Sequence, residues 1–382
     1  MSIKRCFNVA DFRALAKKRL PGPLFHYIDG GADDEWTLRN NTAAFAKYQL
    51  LPSQLNDVSK IDARTTLLGA SCAYPLMLAP TAMSRLFHHE KELAIARAAA
   101  RFGIPYALST LATTSIEDIS KIDGLTSVFQ IYIFKDRELT RDFVETARAN
   151  GVQALCLTVD TVMAGNRERD YRSGMTLPPR FTAASLADFA LHPHWVMNYL
   201  LSPDFTLANV VHRVDVLKSR TISLIDYVNS QFDRSLSWDD VRWLAETWGG
   251  PLIVKGVLSP ADARRAREAG AKALMLSNHG GRQLEGSAAP VDCVRPIRDA
   301  VGDALELIVD GGVRRGIHVV QALALGANAV SFGRPYLFAL AAGGQAGVER
   351  MLTLFTAEIE RALTLLGCAS LRDLNERHLM MM

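Results

Sequence analysis

From about residue 75 onward, short apolar runs alternate with amphipathic stretches of helical character. We interpret eight of these runs as strands: PLMLAP (75–80), IPYALS (104–109), SVFQIY (127–132), ALCLTVD (154–160), LIVKG (252–256), ALMLSN (273–278), ELIVDG (306–311) and AVSFG (329–333). Apolar runs between helices are typical of parallel strands buried on both faces. Eight βα units predict an α/β fold, the (β/α)8 TIM barrel. A doubly wound open sheet is the alternative, but it would more often carry Gly-x-Gly-x-x-Gly after its first strand, and PLMLAPTAMS has no glycine.

Helix signals place further elements around these strands. Helices are predicted over 90–102, 260–269 and 314–325, since each stretch is rich in helix-forming residues and ends near a glycine. Asn8 is the predicted N-cap of a helix that precedes the barrel.

These patterns predict one domain over residues 1–382. It consists of an N-terminal extension (1–74), the barrel (75–345) and C-terminal helices (346–382). The connection after the fourth strand, residues 161–251, is far too long for an ordinary βα loop, and we interpret it as an insertion or lid region.

The centre of the insertion, residues 186–213, is apolar and aromatic with few charges. It is either a helical lid packed on the barrel or a surface segment that contacts a membrane or a partner, with Trp195 and Tyr199 as interfacial anchors. No run of about 18 apolar residues occurs, so a membrane-spanning helix is not expected. The N-terminus lacks a secretory signal pattern, which favours a cytoplasmic location.

Composition excludes several classes of protein. The net charge of +3 is weak and the basic residues are scattered, so a nucleic-acid partner is not expected. Five cysteines without a Cys-x-x-Cys argue against disulfides or a zinc site. We predict no metal site, because His192 and His194 lack an evident third ligand and the His88-His89 pair is interpreted as part of a loop. Met380–Met382 is predicted to be disordered.

Polar residues cluster where the predicted strands end, which in a barrel is the face that carries active sites. Lys255 and Asp160 end apolar runs, where charges are rarely buried without partners. The strand ends of the predicted barrel supply Ser109, Gln130, Tyr132, Thr158, Asp160, Lys255, Ser277, Asn278, His279, Arg282, Asp310, Gly311, Gly312, Gly333 and Arg334. We expect these residues to converge on one mouth.

The segments after the seventh and eighth strands predict a phosphate site. They read DGGVRRG (310–316) and GRP (333–335). Glycines let backbone N–H groups approach an anion, and Arg314 or Arg334 can add charge-assisted hydrogen bonds.

Six segments together resemble the FMN-dependent enzymes that oxidise 2-hydroxy acids. The segments are FHYIDGGADDEWT (25–37), LAPTAM (78–83), LTVD (157–160), VKG (254–256), SNHGGRQL (277–284) and DGGVRRG (310–316). They occur in the family's order and span nearly the whole chain. SNHGGRQL is the most specific of them, whereas DGG is common in barrels.

The resemblance implies a role for each matching position. His279 would be the base that removes a proton from the substrate, and Asp160 would orient and stabilise its imidazole. Lys255 would stand near the N1–O2 edge of the flavin and stabilise the reduced ring. The substrate carboxylate and hydroxyl would be bound by Arg282, Arg167, Tyr27 and Tyr132. The FMN would be bound by Ala82, Ser109, Gln130, Thr158, Ser277, Asp310, Gly311, Gly312, Arg314, Gly333 and Arg334.

Departures from the family pattern narrow the expectation. Leu111 stands where glycolate-oxidase-like members carry a tryptophan, and with Ala82 it resembles lactate-preferring dehydrogenases. GNRERDYRSGM (165–175) and the apolar insertion resemble membrane-associated bacterial members that pass electrons to quinone or cytochrome. The resemblance thus implies an L-lactate dehydrogenase activity, a homotetramer and a peripheral place on the inner face of the cell membrane. An oxygen-using oxidase and a mandelate dehydrogenase are the alternatives within the family.

Two readings outside the family stay open on the residues alone. One is a Schiff-base lyase with Lys255 as its nucleophile. The other is a non-catalytic barrel that binds a phosphate-bearing ligand.

Overall fold

The N-terminal extension forms three helices against the barrel. The computed structural model describes residues 2–176, 179–201, 205–211 and 230–381. The helices are α1 (Val9–Arg19), α2 (Gly22–Asp29) and α3 (Trp36–Ala43). The Asn8 side chain accepts a hydrogen bond from the Asp11 amide at 3.0 Å, which confirms the predicted N-cap.

A short hairpin closes one end of the barrel. After β1 (Tyr48–Leu50), the strands β2 (Thr65–Leu67) and β3 (Ala70–Cys72) pair antiparallel around a turn at Leu68 and Gly69. Both turn residues have positive φ, as a two-residue hairpin turn requires. Hairpin residues pack into one buried cluster with the lower barrel interior, so the floor of the barrel is sealed by side chains.

Eight parallel strands close into a barrel in the order β10-β11-β4-β5-β6-β7-β8-β9. All eight predicted runs are confirmed as strands: β4 (Leu76–Leu78), β5 (Tyr106–Ser109), β6 (Ser127–Ile131), β7 (Ala154–Thr158), β8 (Leu252–Lys255), β9 (Ala273–Ser277), β10 (Glu306–Asp310) and β11 (Ala329–Phe332). Nearly every strand residue is buried, because side chains fill the interior on one face and helices cover the other. The TIM barrel prediction is therefore confirmed.

Helices surround the strands and lie in the connections between them. They are α4 (Lys91–Arg101), α5 (Ile116–Ser120), α6 (Arg137–Ala149), α7 (Glu168–Ser173), α8 (Ala183–Ala190), α9 (Pro193–Leu201), α10 (Ala208–Val211), α11 (Trp238–Trp248), α12 (Pro260–Glu268), α13 (Val294–Val301), α14 (Gly316–Ala324) and α15 (Arg334–Leu366). The predicted helices 90–102 and 260–269 match α4 and α12. The helix predicted from residue 314 begins at Gly316, because Arg315 keeps an extended backbone.

A fully buried carboxylate ties two strand-end loops together. Glu92, on α4, accepts hydrogen bonds from the amides of Ser84 and Thr113, each at 3.0 Å. The hydroxyls of Thr113 and Thr114 donate to its other oxygen at 2.8 and 2.9 Å. The loops that follow β4 and β5 are thus fixed to one another at the mouth of the barrel.

The insertion packs on the barrel partly through α9. The Trp195 indole of α9 donates to the Leu86 carbonyl at 2.8 Å and its ring packs on Phe189. Hydrogen bonding and ring packing thus turn Trp195 partly inward, and its role as an interfacial anchor stays a prediction. Tyr199 is exposed, as predicted, and Arg85 lies over its ring. Part of the segment 186–213 lies outside the described residues.

Within the part of the chain that the structure describes, no helix is both long and apolar enough to cross a membrane.

A small two-stranded sheet joins the N-terminal extension to the last described residues of the chain. The strand β12 (Leu379–Met381) pairs antiparallel with β1, Gln49 opposite Met380. The prediction of disorder over Met380–Met382 is therefore wrong for Met380 and Met381, because β1 offers them a hydrogen-bonding edge; Met382 lies outside the described residues. All five cysteines are buried and free, as the absence of a paired spacing predicts.

Candidate active site

A cavity of about 970 Å³ opens at the carboxyl ends of the barrel strands. The predicted site residues that line it are Tyr27, Ala82, Ser109, Gln130, Tyr132, Thr158, Arg167, Lys255, His279, Arg282, Asp310, Gly311, Gly312, Arg314, Gly333 and Arg334. Asp160 and Ser277 lie directly behind this lining and bond to members of it. The structure thus brings these residues around one space, whereas Asn278 is turned away to bond with Asn41 and the Ala288 carbonyl.

His279 and Asp160 form a close pair at the edge of the cavity. The His279 Nδ1 atom lies 2.9 Å from Asp160 Oδ1, and the imidazole keeps 28% of its surface accessible. His279 has φ +57°, a left-handed conformation that is uncommon outside glycine and is concentrated at functional sites. Gly256 must be glycine here, because a Cβ would lie 2.8 Å from that of Asp160 and its φ is +110°.

Burial favours the neutral imidazole of this pair, and neighbouring positive charges favour the ionised carboxylate. Burial lowers the pKa of His279, and the Asp160 carboxylate only partly offsets this. Burial alone would raise the pKa of Asp160, but Lys255 and His279 outweigh it, and the pKa is lowered. A neutral imidazole with a charged partner is the state that a general base needs.

Lys255 belongs to a buried chain of hydrogen bonds. Its ammonium donates to Ser277 Oγ at 3.1 Å, and Ser277 donates to Asp310 Oδ2 at 2.8 Å. Burial alone would lower the pKa of Lys255, but the carboxylates of Asp160 and Asp310 raise it. The amine is therefore held in its charged form, which argues against Lys255 as a Schiff-base nucleophile, since that chemistry needs a lowered pKa.

Two arginines flank one tyrosine ring inside the cavity. The guanidinium carbons of Arg167 and Arg282 lie 5.2 and 4.9 Å from the centre of the Tyr27 ring. Arg282 also donates to the Tyr27 carbonyl. Burial, together with the charge of Arg167, lowers the pKa of Arg282 to about 9. Two guanidinium groups brought this close form a site for a carboxylate.

A second group of cavity residues, from the loops after β10 and β11, is also built for an anion. Gly312 has φ +76°, and a Cβ there would lie 1.9 Å from the Asn41 carbonyl oxygen, so the loop admits no side chain. Arg334 donates to the carbonyls of Gly280 and Gly30 at 2.8 and 2.7 Å. Burial lowers the pKa of Arg314 to about 10 and that of Arg334 to about 9. Such shifts are expected for cationic side chains in a pocket that binds an anion.

The cavity lining also contains a buried hydrogen-bond donor without a partner among the described residues. Gln130 is 2% exposed, and its Oε1 accepts from the Ser109 hydroxyl at 3.1 Å. Its Nε2 is buried and has no partner among the described residues. Buried donors are rarely left unpaired, so this amide calls for an acceptor on a ligand in the cavity.

Sequence reasoning missed two residues that shape the site. Gln283 donates to the carbonyls of Asp160 and Met163, each at 2.8 Å, and so joins the loops after β7 and β9. Asp170 lies 3.1 Å from Arg167. Both residues lie within segments already singled out, Gln283 inside SNHGGRQL and Asp170 inside GNRERDYRSGM. The partners of Gln283 are distant in sequence, and the burial of Asp170 is not visible in a segment rich in charges.

Comparison with known proteins gives the family. A family described as FMN-dependent dehydrogenase matches residues 16–381. The chain belongs to the FMN-dependent dehydrogenase family. Its cofactor is therefore FMN and its chemistry is the oxidation of a 2-hydroxy acid, as the resemblance implied.

Several relatives share nearly the full length of the chain. It is 42% identical to L-lactate oxidase of Nostoc sp. over 98% of each chain. It is 40% identical to glycolate oxidase 3 of Oryza sativa subsp. indica (97% of this chain, 95% of the relative) and 40% identical to L-lactate dehydrogenase of Xanthomonas axonopodis pv. citri (96% and 94%). Among solved structures, the monotopic membrane protein (S)-mandelate dehydrogenase has a TM-score of 0.94 at 36% identity, with 99% of this chain and 100% of that one covered.

The cavity fits FMN on its own evidence. It offers the amide donor of Gln130, which has no partner among the described residues, a charged Lys255, and Arg314 and Arg334 together with a loop too tight for side chains. Such donors and cations suit the polar edge of a flavin ring, a ribityl chain and a phosphate.

We expect Arg314→Gln to weaken FMN binding by about tenfold or more, because a charge-assisted contact to phosphate is lost. The measurement is fluorescence titration of the flavin-free protein with FMN and with riboflavin, which lacks the phosphate. The matched control is Arg315→Gln: Arg315 is the next residue, but it pairs with Glu358 at 2.8 Å away from the cavity, so FMN binding should stay within threefold. Equal weakening of FMN and riboflavin by Arg314→Gln would contradict a phosphate contact.

Proposed function

We propose that this enzyme oxidises an L-2-hydroxy acid, with L-lactate as the favoured substrate, and passes the electrons to a quinone or a cytochrome. The observation that carries the proposal is the neutral His279, paired with Asp160, in the same cavity as the clamp of Arg167 and Arg282. A base, a carboxylate clamp and an electron acceptor are the parts that this oxidation needs.

The clamp orients the substrate. The substrate carboxylate lies against Arg167 and Arg282, where planar guanidinium groups suit its two oxygens. The hydroxyls of Tyr27 and Tyr132 donate to the substrate oxygens. Burial and the Asp160 charge raise the pKa of Tyr132 far above neutrality, so it stays a donor.

His279 then removes a proton from the bound substrate. The Asp160 carboxylate stabilises the imidazolium that forms and holds Nδ1, which leaves Nε2 for the substrate. Bound FMN supplies the sink for the two electrons that leave the substrate carbon. Lys255 holds a positive charge in the cavity where electrons accumulate, and its hydrogen bond to Ser277 keeps it in place. His279 serves as base whether the carbon loses a hydride or first a proton.

The remaining predicted contacts belong to the cofactor. Ser109, Gln130, Thr158 and Ser277 would hold the flavin and its ribityl chain, and Ala82 would contribute an apolar contact. Asp310, Gly311, Gly312, Arg314, Gly333 and Arg334 would hold the ribityl chain and the phosphate.

Two cavity residues, Leu111 and Ala82, favour L-lactate as the substrate and a dehydrogenase as the type of enzyme. Leu111 and Ala82 both line the cavity and give it aliphatic walls that suit a methyl group. The alternative of an oxygen-using oxidase draws support from the 42% identity to L-lactate oxidase. The alternative of mandelate draws support from the TM-score of 0.94 with (S)-mandelate dehydrogenase.

A peripheral contact with the inner face of the cell membrane is part of the proposal, as is a homotetramer. The outward side of α8 and α9 exposes Leu186, Leu191, Met197, Leu200 and Leu201, each by more than half. Exposed apolar groups on a helical segment favour insertion into the headgroup region of a bilayer.

The first test is a panel of 2-hydroxy acids. Anaerobic bleaching of the flavin should be fastest with L-lactate, slower with mandelate and glycolate, and absent with D-lactate. The reduced enzyme should then be reoxidised by a quinone or cytochrome c faster than by air-saturated buffer. Rapid peroxide formation in air would instead assign an oxidase, and absence of bleaching with every acid would end the proposal.

We expect His279→Gln to slow flavin reduction by about a hundredfold or more, since a general base contributes that much. In the unsubstituted enzyme kcat/KM should fall at acid pH with a midpoint below about 6.5, because only neutral imidazole accepts a proton and burial lowers the pKa of His279. His194→Gln, an exposed position on α9, is the control and should change neither result. Near-normal reduction by His279→Gln in stopped-flow measurements would refute the assignment.

We expect Leu200→Glu combined with Leu201→Glu to abolish liposome flotation. Each exposed leucine that enters the bilayer contributes about 1.5–3 kcal/mol, which charged groups would reverse. Leu365→Glu, on an equally exposed leucine of α15, is the control and should float as the unsubstituted enzyme does. Flotation on phosphatidylcholine and phosphatidylglycerol vesicles that the double substitution leaves unchanged would exclude this surface.

A further inference from the structure

We propose that Asp170 is a positioning residue of the substrate clamp: its carboxylate holds Arg167 by the Nε side, so that the rest of the guanidinium faces the substrate. The inference rests on the proposed function, because it takes Arg167 and Arg282 as the groups that bind the substrate carboxylate. It adds to that function a residue that touches neither substrate nor cofactor.

The backbone brings the two residues together at the start of α7. Arg167 is the residue before the helix and Asp170 lies in its first turn, with the Asp170 amide donating to the Arg167 carbonyl at 3.0 Å. The side chains then meet at 3.1 Å between Arg167 Nε and Asp170 Oδ2. Among the described residues, no hydrogen bond engages the two terminal nitrogens of Arg167. Those nitrogens are the ones that can form a fork to a carboxylate.

Burial of the Asp170 carboxylate costs free energy. It is 5% exposed, and Oδ2 accepts no well-aligned hydrogen bond among the described residues even though Arg167 is close. Burial raises its pKa, against the opposing charges of Arg167, Arg282, His26 and Arg169. Buried ion pairs with unsatisfied oxygens contribute little to stability. A role in placing the arginine accounts for the carboxylate better than a role in folding.

The clamp also needs a counter-charge. Arg167 and Arg282 lie over the same Tyr27 ring, and Arg167 is the charge that most lowers the pKa of Arg282 after burial itself. Asp170 acts on Arg282 in the opposite direction. Without it, the two guanidinium groups would repel each other with no fixed anion beside them, and Arg167 would be free to turn toward solvent.

The test compares Asp170→Asn with the unsubstituted FMN-loaded enzyme, using oxalate as an anion probe whose binding perturbs the flavin spectrum. We expect the oxalate Kd to rise about tenfold or more. The KM for the 2-hydroxy acid should rise in parallel, while kcat stays within threefold. A simple charge effect has the opposite sign, because removal of a negative charge would tighten the binding of a dianion. An unchanged or tighter oxalate Kd would therefore overturn the proposal.

Two further variants separate the possible causes. Glu168→Gln removes an exposed carboxylate of the same helix that pairs with Arg172, and it should leave oxalate binding unchanged. Asp170→Glu keeps the charge but moves it by one methylene, and its oxalate Kd should fall between those of the enzyme and of Asp170→Asn. If Asp170→Asn fails to retain FMN, the oxalate Kd of Asp170→Glu becomes the deciding measurement. A Kd equal to that of the unsubstituted enzyme would then overturn the inference. If the enzyme binds oxalate but oxidises no 2-hydroxy acid, the proposed function fails while the inference on Asp170 is still decided by oxalate.

Discussion

Closure of the barrel is the constraint on which the site depends. The last strand of the barrel, β11, pairs in parallel with its first strand, β4, so that Ser331 lies opposite Met77. Because all eight strands run the same way around a closed ring, their carboxyl ends share one rim. Residues more than a hundred positions apart in sequence, such as Asp160 and His279, therefore come within hydrogen-bonding distance.

Once the rim is formed, charge balance decides the state of each group. Asp160 faces two basic groups, Lys255 and His279, and remains ionised in spite of burial. Lys255 in turn stays protonated because Asp160 and Asp310 lie near it. His279 gains less from Asp160 than it loses by burial, so it alone is left neutral. One cluster thus yields a fixed cation, a fixed anion and a free base.

Much of this was predictable from the sequence, for a physical reason. Strands buried on both faces must be apolar, and a polar residue at the end of such a run, such as Lys255, is conspicuous. The direction of Trp195 and the pairing of Met380 with β1 were not predictable, because each depends on a partner far away in sequence. Asp170 was overlooked for the opposite reason: in a segment rich in charges, nothing distinguishes a buried carboxylate from a solvated one.

The pairing of β1 with β12 has a consequence for the order of assembly. The N-terminal extension carries Tyr27, and it is fastened by α1 against α15 and by β1 against the last residues of the chain. During synthesis on the ribosome, α15 and β12 follow all eight strands of the barrel, so the segments that hold the extension in place emerge after the barrel itself. The wall of the pocket that carries Tyr27 therefore gains these contacts late in synthesis.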